Sequence, residues 1–291
     1  MLPLESVPNF SEGRDRATID AIGTALAGAG ARLLDVHADA DHNRSVFTLA
    51  GAEAELVEGL VAGIARAGEL IDLGAHEGAH PRVGAADVVP LVPIRPEDLD
   101  RARAASLEVA ARVGESGLPV FLYGGPGRGP AFFRRGGPEG LQARIDAGEL
   151  TPDFGPARLD PRAGAVLVGA RPPLVAFNVN LRSGDVEVAK AIAAVVRERD
   201  GGFPGVRALG LDLPRAGLVQ VSMNVEDWQA APLHEIVGRI VSEAEARGAE
   251  VAGSELVGLL PAGAAASAAG ALLRLDGFDE THVLEVRLLD R

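Results

Sequence analysis

Apolar residues recur three and four apart in "RDRATIDAIGTALAGAG" (residues 14–30) and in "AEAELVEGLVAGIARAGELI" (52–71). That spacing lines one face of an α-helix. Between and around these segments the pattern changes. "LPLESVPN" (2–9), "ARLLDVHADAD" (31–41), "RSVFTLAG" (44–51) and "AADVVPLVPI" (85–94) read as strands. The middle two flank an Asp/Asn-rich turn, "DADHN" (39–43). The resulting order is β-α-β-β-α-β. A further helix, "RPEDLDRARAASLEVAARVGES" (95–116), and a strand, "LPVFLYG" (118–124), follow. From about Pro172 the order repeats. "PLVAFNVNL" (173–181) is a strand and "DVEVAKAIAAVVRER" (185–199) a helix. "VRALGLDL" (206–213) and "LVQVSMNV" (218–225) pair around "PRAG"; "PLHEIVGRIVSEAEARG" (232–248) is a helix and "AEVAGSELVGL" (249–259) a strand. Each half therefore reads as a split βαββαβ unit, and the expected class is α+β. Two ferredoxin-like subdomains with mostly antiparallel or mixed sheets are predicted, residues 1–171 and 172–291.

Two Gly/Pro-dense stretches, 124–140 and 148–164, read as long loops, and loops of that length are often functional. The span "LVGLLPAGAAASAAGALL" (256–273) has the length of a membrane crossing. Pro261 and its many small residues instead predict a strand end, a turn and a small-residue helix.

Composition narrows the chemistry. The 291 residues carry a net charge of −13, which argues against nucleic acid and anionic membrane as partners. There is no cysteine, so disulfide and thiol chemistry are out of reach. The N-terminus lacks the basic-then-apolar pattern of a signal peptide, and a cytoplasmic location is expected. Lys190 is the only lysine, so cationic recognition falls to arginine, whose planar fork suits carboxylates.

His76-Glu77-Gly78-Ala79-His80 spells H-E-x-x-H, the helical zinc motif of metalloproteases. Gly74 and Gly78 each weaken a helix by about 1 kcal/mol relative to Ala. Pro81 pushes His80 toward extended backbone. No metal is expected. Two histidines remain, in a Gly-rich loop between an amphipathic helix and a buried strand.

That loop opens "HPRVGAADVVPLVP" (80–93), which resembles a segment of the formiminotransferase domain family. So do "VPNFSEGRD" (7–15), "LLDV" (33–36), "HNRSVFTLAG" (42–51), "LPVFLYG", "PDFGP" (152–156), "LVAFNVNL" (174–181), "LVQVSMN" (218–224) and "GSELVGLLP" (253–261), all in the family's order. The resemblance covers nearly the whole chain and is to the stand-alone form, without the cyclodeaminase domain of bifunctional members.

It implies a homodimer that transfers the formimino group of N-formimino-L-glutamate to tetrahydrofolate as co-substrate. It implies His80 as the catalytic histidine. It implies a folate-binding stretch over Gly155, Pro156, Ala157, Arg158, Leu159, Asp160, Pro161, Arg162, Ala163 and Gly164, with a further glycine at Gly201 or Gly202. His37 stands where bifunctional members carry an acidic residue assisting the histidine, so Asp35, Asp39 or Asp41 would supply that carboxylate.

The reaction itself asks for one imidazole titrating near neutrality to move a proton from the pterin N5 to the leaving nitrogen. It also asks for local cations, because both substrates carry carboxylates. Arg82, Arg44, Arg158 and Arg162 are the candidates, with Asn43 beside them. Asn9, Asn178, Asn180 and Asn224, in or beside apolar strands, need partners, either a pterin edge or a neighbouring loop. The alternative reading is a non-catalytic folate- or small-ligand-binding module of the same fold, which would not need His80.

Overall fold

The structure is a computed structural model and describes residues 2–124 and 127–289. The chain divides into two compact units, Met1–Pro172 and Pro173–Arg291.

In the first unit the elements run β1 (Leu4–Ser6), β2 (Asn9–Phe10), α1 (Arg16–Ala27), β3 (Arg32–Asp39), β4 (Arg44–Gly51), α2 (Glu53–Leu70) and β5 (Ala86–Pro93). β1 and β2 are one predicted strand in two pieces. The break falls at Pro8, which has no N–H for the ladder, although its carbonyl accepts from Phe47 N at 3.0 Å. Both pieces lie between β4 and β5, and β3 pairs outside β4, all antiparallel. The spatial order β5, β1/β2, β4, β3 is that of the split βαββαβ motif.

The chain then adds α3 (Leu99–Glu115), β6 (Val120–Leu122), α4 (Pro130–Phe133), α5 (Gly137–Asp146) and β7 (Val166–Ala170). β7 joins β5 in parallel and β6 joins β7 in parallel, so the sheet is mixed. The predicted loop over 124–140 thus contains α4 and the start of α5; its residues 125 and 126 lie outside the described residues.

β5 is buried throughout. Val89 and Leu91 pack with Leu56, Leu60 and Val109 of α2 and α3 in one cluster. Val88 packs with Phe121, Phe133, Leu141 and Leu167 in another. A strand covered on both faces reads as a continuous apolar run, which "VVPLV" is. Asp87 interrupts that run, and a buried carboxylate there requires a partner.

The second unit repeats the motif: β8 (Val175–Arg182), α6 (Val186–Val196), β9 (Val206–Leu213), β10 (Leu218–Val225), α7 (Leu233–Glu245) and β11 (Glu250–Val257). Its sheet order is β11-β8-β10-β9, antiparallel throughout. α8 (Ala262–Leu273) is the small-residue helix expected after Pro261, and α9 (Leu284–Leu289) follows. Among the described residues, no helix is long and apolar enough to cross a membrane.

Candidate active site

The site of the first unit is built on the β3–β4 turn. Asp39 accepts from the His42 N–H at 2.7 Å, which tightens the turn. Asn43 closes it with φ of 46°, a left-handed conformation that asparagine tolerates better than most residues. Its buried amide bonds at both ends. Oδ1 accepts from Gly13 N at 3.0 Å, and Nδ2 donates to the Glu77 carbonyl at 2.9 Å.

The segment 71–85, which carries both loop histidines, lies against this turn. Ala79 N donates to the Asp41 carbonyl at 3.0 Å. A Cβ on Gly78 would collide with the His42 carbonyl and approach Asn43 Cβ at 2.9 Å, so only glycine allows the segment so close. His76 to His80 is not helical. The short 3₁₀ turn Leu73–Ala75 ends before it, so the two imidazoles do not share a helical face. Among the described residues, no group of three or more His, Cys, Asp or Glu side chains stands where it could hold a metal.

Arg82 is the second clamp. Its Nη2 donates to the carbonyls of His42 at 3.0 Å and His80 at 2.7 Å. Its Nε also donates to His80 O, at 3.1 Å, and Nη1 lies 3.4 Å from Asn43 O. Nη1 also meets the His76 ring. The fork that the sequence assigned to a substrate carboxylate is therefore occupied by backbone, as are both ends of the Asn43 amide.

His80 is partly buried, and its ring stacks on that of His42, with centroids 6.0 Å apart and planes 24° from parallel. Its Nδ1 lies 2.8 Å from the Pro81 carbonyl. A carbonyl only accepts, so this contact assigns the ring proton to Nδ1 and leaves the lone pair on Nε2. The orienting group is thus a main-chain oxygen where the sequence suggested a carboxylate. Burial, then the guanidiniums of Arg44 and Arg134, hold this imidazole well below the usual histidine pKa of 6.5. This direction runs against titration near neutrality, because a cation is unwelcome in a site already lined with cations. His76 is lowered to about 4 by burial and by Arg82.

Arg44, at the start of β4, faces the same place and is lowered to about 9, chiefly by burial and secondarily by Arg134. Arg134, just past α4, pairs with the buried Asp87 of β5, whose other oxygen accepts from Val83 N at 2.7 Å. Three arginines beside two aspartates, Asp87 and Asp39, leave a local excess of positive charge in an acidic chain. Sequence reasoning missed Arg134, Asp87 and His42. Asp87 carried a signal, a charge in an apolar strand, whereas nothing distinguishes Arg134 from Arg135.

The 155–164 stretch docks against the same segment. Asp160 closes it by accepting from Arg162 N and Ala163 N, at 2.8 and 2.7 Å. Leu73 N donates to the Arg162 carbonyl and Ala85 N to that of Ala163, each at 2.8 Å. Gly155 and Gly164, with φ of 79° and 71°, sit where a Cβ would strike Leu118 O and Val83 O. Leu159 N is held by the Gln142 side chain at 2.8 Å. Gly155, Pro156, Ala157 and Arg158 are exposed, as are Pro161 and Arg162, whose guanidinium lies 3.8 Å from Asp72.

Gly202 lies in the second unit, packed so closely on the carbonyl end of α6 that a Cβ would strike Val196. Asn178 in that unit donates to Glu255 at 3.1 Å, and Gln220 donates to Asn180 at 2.9 Å. Those amides have the neighbouring partners that buried polar groups require.

Residues 3–171 match the formiminotransferase domain, N-terminal subdomain, and residues 176–281 match the formiminotransferase domain. A glutamate formimidoyltransferase of Thermoplasma acidophilum is 39% identical, with 98% of this chain and 97% of the relative covered. One of Streptococcus pyogenes is 40% identical, with 98% of each covered. The formimidoyltransferase-cyclodeaminase of Gallus gallus is 39% identical over 89% of this chain and 50% of its own length.

Proposed function

Because the chain belongs to the formiminotransferase domain family, we propose that it is a glutamate formimidoyltransferase in which His80 carries the proton. Formiminoglutamate and tetrahydrofolate give L-glutamate and 5-formiminotetrahydrofolate. The observation that carries the role of His80 is its fixed tautomer, Nδ1 on the Pro81 carbonyl and the lone pair on Nε2, beside the guanidiniums of Arg44 and Arg134.

N5 of the pterin attacks the carbon of the protonated formimino group: the C–N5 bond forms as the C=N π pair moves onto the imino nitrogen, and in the resulting tetrahedral intermediate N5 is a strongly acidic ammonium. His80 Nε2 takes that proton. A weakly basic imidazole suffices because the donor is so acidic, and the imidazolium it becomes is a strong acid. It delivers the proton to the glutamate nitrogen, whose bond to the formimino carbon breaks as the lone pair of the imino nitrogen re-forms the C=N bond on 5-formiminotetrahydrofolate.

Arg82 and Asn43 act as positioning residues that hold the loop, and Arg44 remains a cation for substrate. The 155–164 stretch is the folate-binding segment. Exposed Arg158 suits a polyglutamate tail. Arg158→Ala should weaken polyglutamylated folate several-fold more than the monoglutamate, and equal losses would remove it from that role. We assign the catalytic histidine and the folate loop to the N-terminal subdomain, residues 1–171, and take the working form as a cytoplasmic homodimer, which sedimentation tests.

The reaction is tested by mixing the protein with both substrates and following 5-formiminotetrahydrofolate. Folate binding without product would favour the non-catalytic module.

A further inference from the structure

The cationic pocket beside His80 contains two guanidinium N–H groups that the fold leaves unused. Among the described residues, Nε of Arg44 and Nε of Arg134 are both buried and without a hydrogen-bond partner. A buried donor left unpaired costs about 1–3 kcal/mol, so two beside the proton carrier are an expensive arrangement unless a ligand completes it. Arg82 cannot be what receives that ligand, since its fork is taken by the carbonyls of His42, Asn43 and His80.

Arg134 is held from behind. Asp87 pairs with its Nη2, and Asp87 is fixed in turn by Val83 N, three residues beyond His80. This carboxylate orients Arg134 without neutralising the site, because Arg44 and Arg82 remain against Asp39 alone.

Both substrates carry carboxylates, and their covalent structures decide between them. In tetrahydrofolate the pterin and the aminobenzoyl group separate N5 from the glutamate tail, so a tail carboxylate is far from the reacting atoms. In formiminoglutamate the α-carboxylate sits on the carbon bonded to the nitrogen that must receive the proton. The γ-carboxylate is farther along the side chain. An anion within reach of cations beside His80 is therefore the donor's α-carboxylate.

We infer that Arg134, oriented by Asp87 and acting with Arg44, binds the α-carboxylate of the formimino donor and so sets the enzyme's preference for an α-amino-acid donor. This rests on the assignment of the reaction and of His80 given above. Carboxylate–guanidinium contact of this kind is strong and directional. It would hold the leaving nitrogen toward Nε2 of His80 in ground state and transition state alike, so its loss should appear in donor KM more than in kcat.

The test uses the intact enzyme, with formiminoglutamate, its α-carboxamide and its γ-carboxamide as donors. In the wild type, α-amidation should lower kcat/KM by about 30-fold or more, and γ-amidation should cost less. In Arg134→Gln, formiminoglutamate should fall to the level of the α-carboxamide. Amidation should then cost little more, while the KM for tetrahydrofolate stays within about twofold, as a cycle between a residue and its ligand group requires. Calorimetry supplies a readout without turnover: the wild type should bind L-glutamate more tightly than 4-aminobutyrate, and Arg134→Gln should not.

A wild type indifferent to α-amidation, or more sensitive to γ-amidation, overturns the inference even if Arg134→Gln fails to fold. So does an Arg134→Gln enzyme that loses tetrahydrofolate alone. A wild type that makes no product from formiminoglutamate overturns the underlying assignment and this inference with it.

Discussion

The two units use one motif and make its last connection differently. In the second unit, α7 reaches β11 through residues 246–249, a tight turn closed by Gly248 at φ of 70°. In the first, α2 reaches β5 through residues 71–85, pinned by the Asn43 amide, the Arg82 fork and the 155–164 stretch. The preceding hairpins differ in the same way. "PRAG" between β9 and β10 connects the strands across an exposed turn, whereas the β3–β4 turn anchors the segment that carries His80. A connection that only connects is short. One that must hold an imidazole in a single tautomer against burial is long and is bonded along its length.

The sharpest way to break that comparison is to remove the imidazole. His80→Ala should lower kcat by about 10²- to 10⁴-fold with little change in folate Kd, the usual cost of a lost general acid–base. His76→Ala should cost far less. The His76 ring packs on Arg82, so part of its effect should appear as instability. If His76→Ala is the inactive variant, the assignment of the proton carrier is wrong.

A smaller effect is expected from the glycines. Gly78→Val must push the segment off the His42 carbonyl and Asn43, and should cost about tenfold or more in kcat, since a displacement of about 1 Å is that expensive. Gly248→Ala meets no neighbour but keeps a positive φ, so it should cost about 1–2 kcal/mol of stability and leave turnover alone. Turnover loss from Gly248→Ala together with a silent Gly78→Val would reverse the reading of the two connections.

Much of this was legible in the sequence. Both βαββαβ orders followed from periodicity, and Gly78 with Pro81 ruled out a helical HEGAH. β7 escaped because "AVLVGA" is short and follows a Pro/Gly-rich stretch, and its parallel neighbours β5 and β6 lie far away in sequence. The site was half legible. Motifs marked His80, Asn43, Arg44 and Arg82, but the roles of the last three depend on which acceptors lie within 3 Å, and those come from other segments. The pairing of Arg134 with Asp87 spans α4 and β5 and leaves no spacing to read.

The smallest effect expected is on acid stability, and it separates the two parts of the chain by pH. His76 and His80 fold as neutral rings with depressed pKa values, His76 at about 4 against the usual 6.5. Between those values the unfolded chain binds protons that the folded chain refuses, so stability rises with pH there and falls on acidification from about pH 7 toward 4. Allowing for partial solvent screening, the loss from His76 should be about 1 kcal/mol, and His76→Asn should flatten the fall in Tm over that range. Catalysis should not follow the same curve. If His80 acts as a neutral base, kcat should stay level from pH 7 to about 6, where an ordinary imidazole is already mostly protonated. An acid limb in kcat at about 6.5, with a Tm independent of pH above 4, would mean that the 71–85 segment is as solvated as the turn at 246–249 and that the contrast between the two connections carries no chemistry.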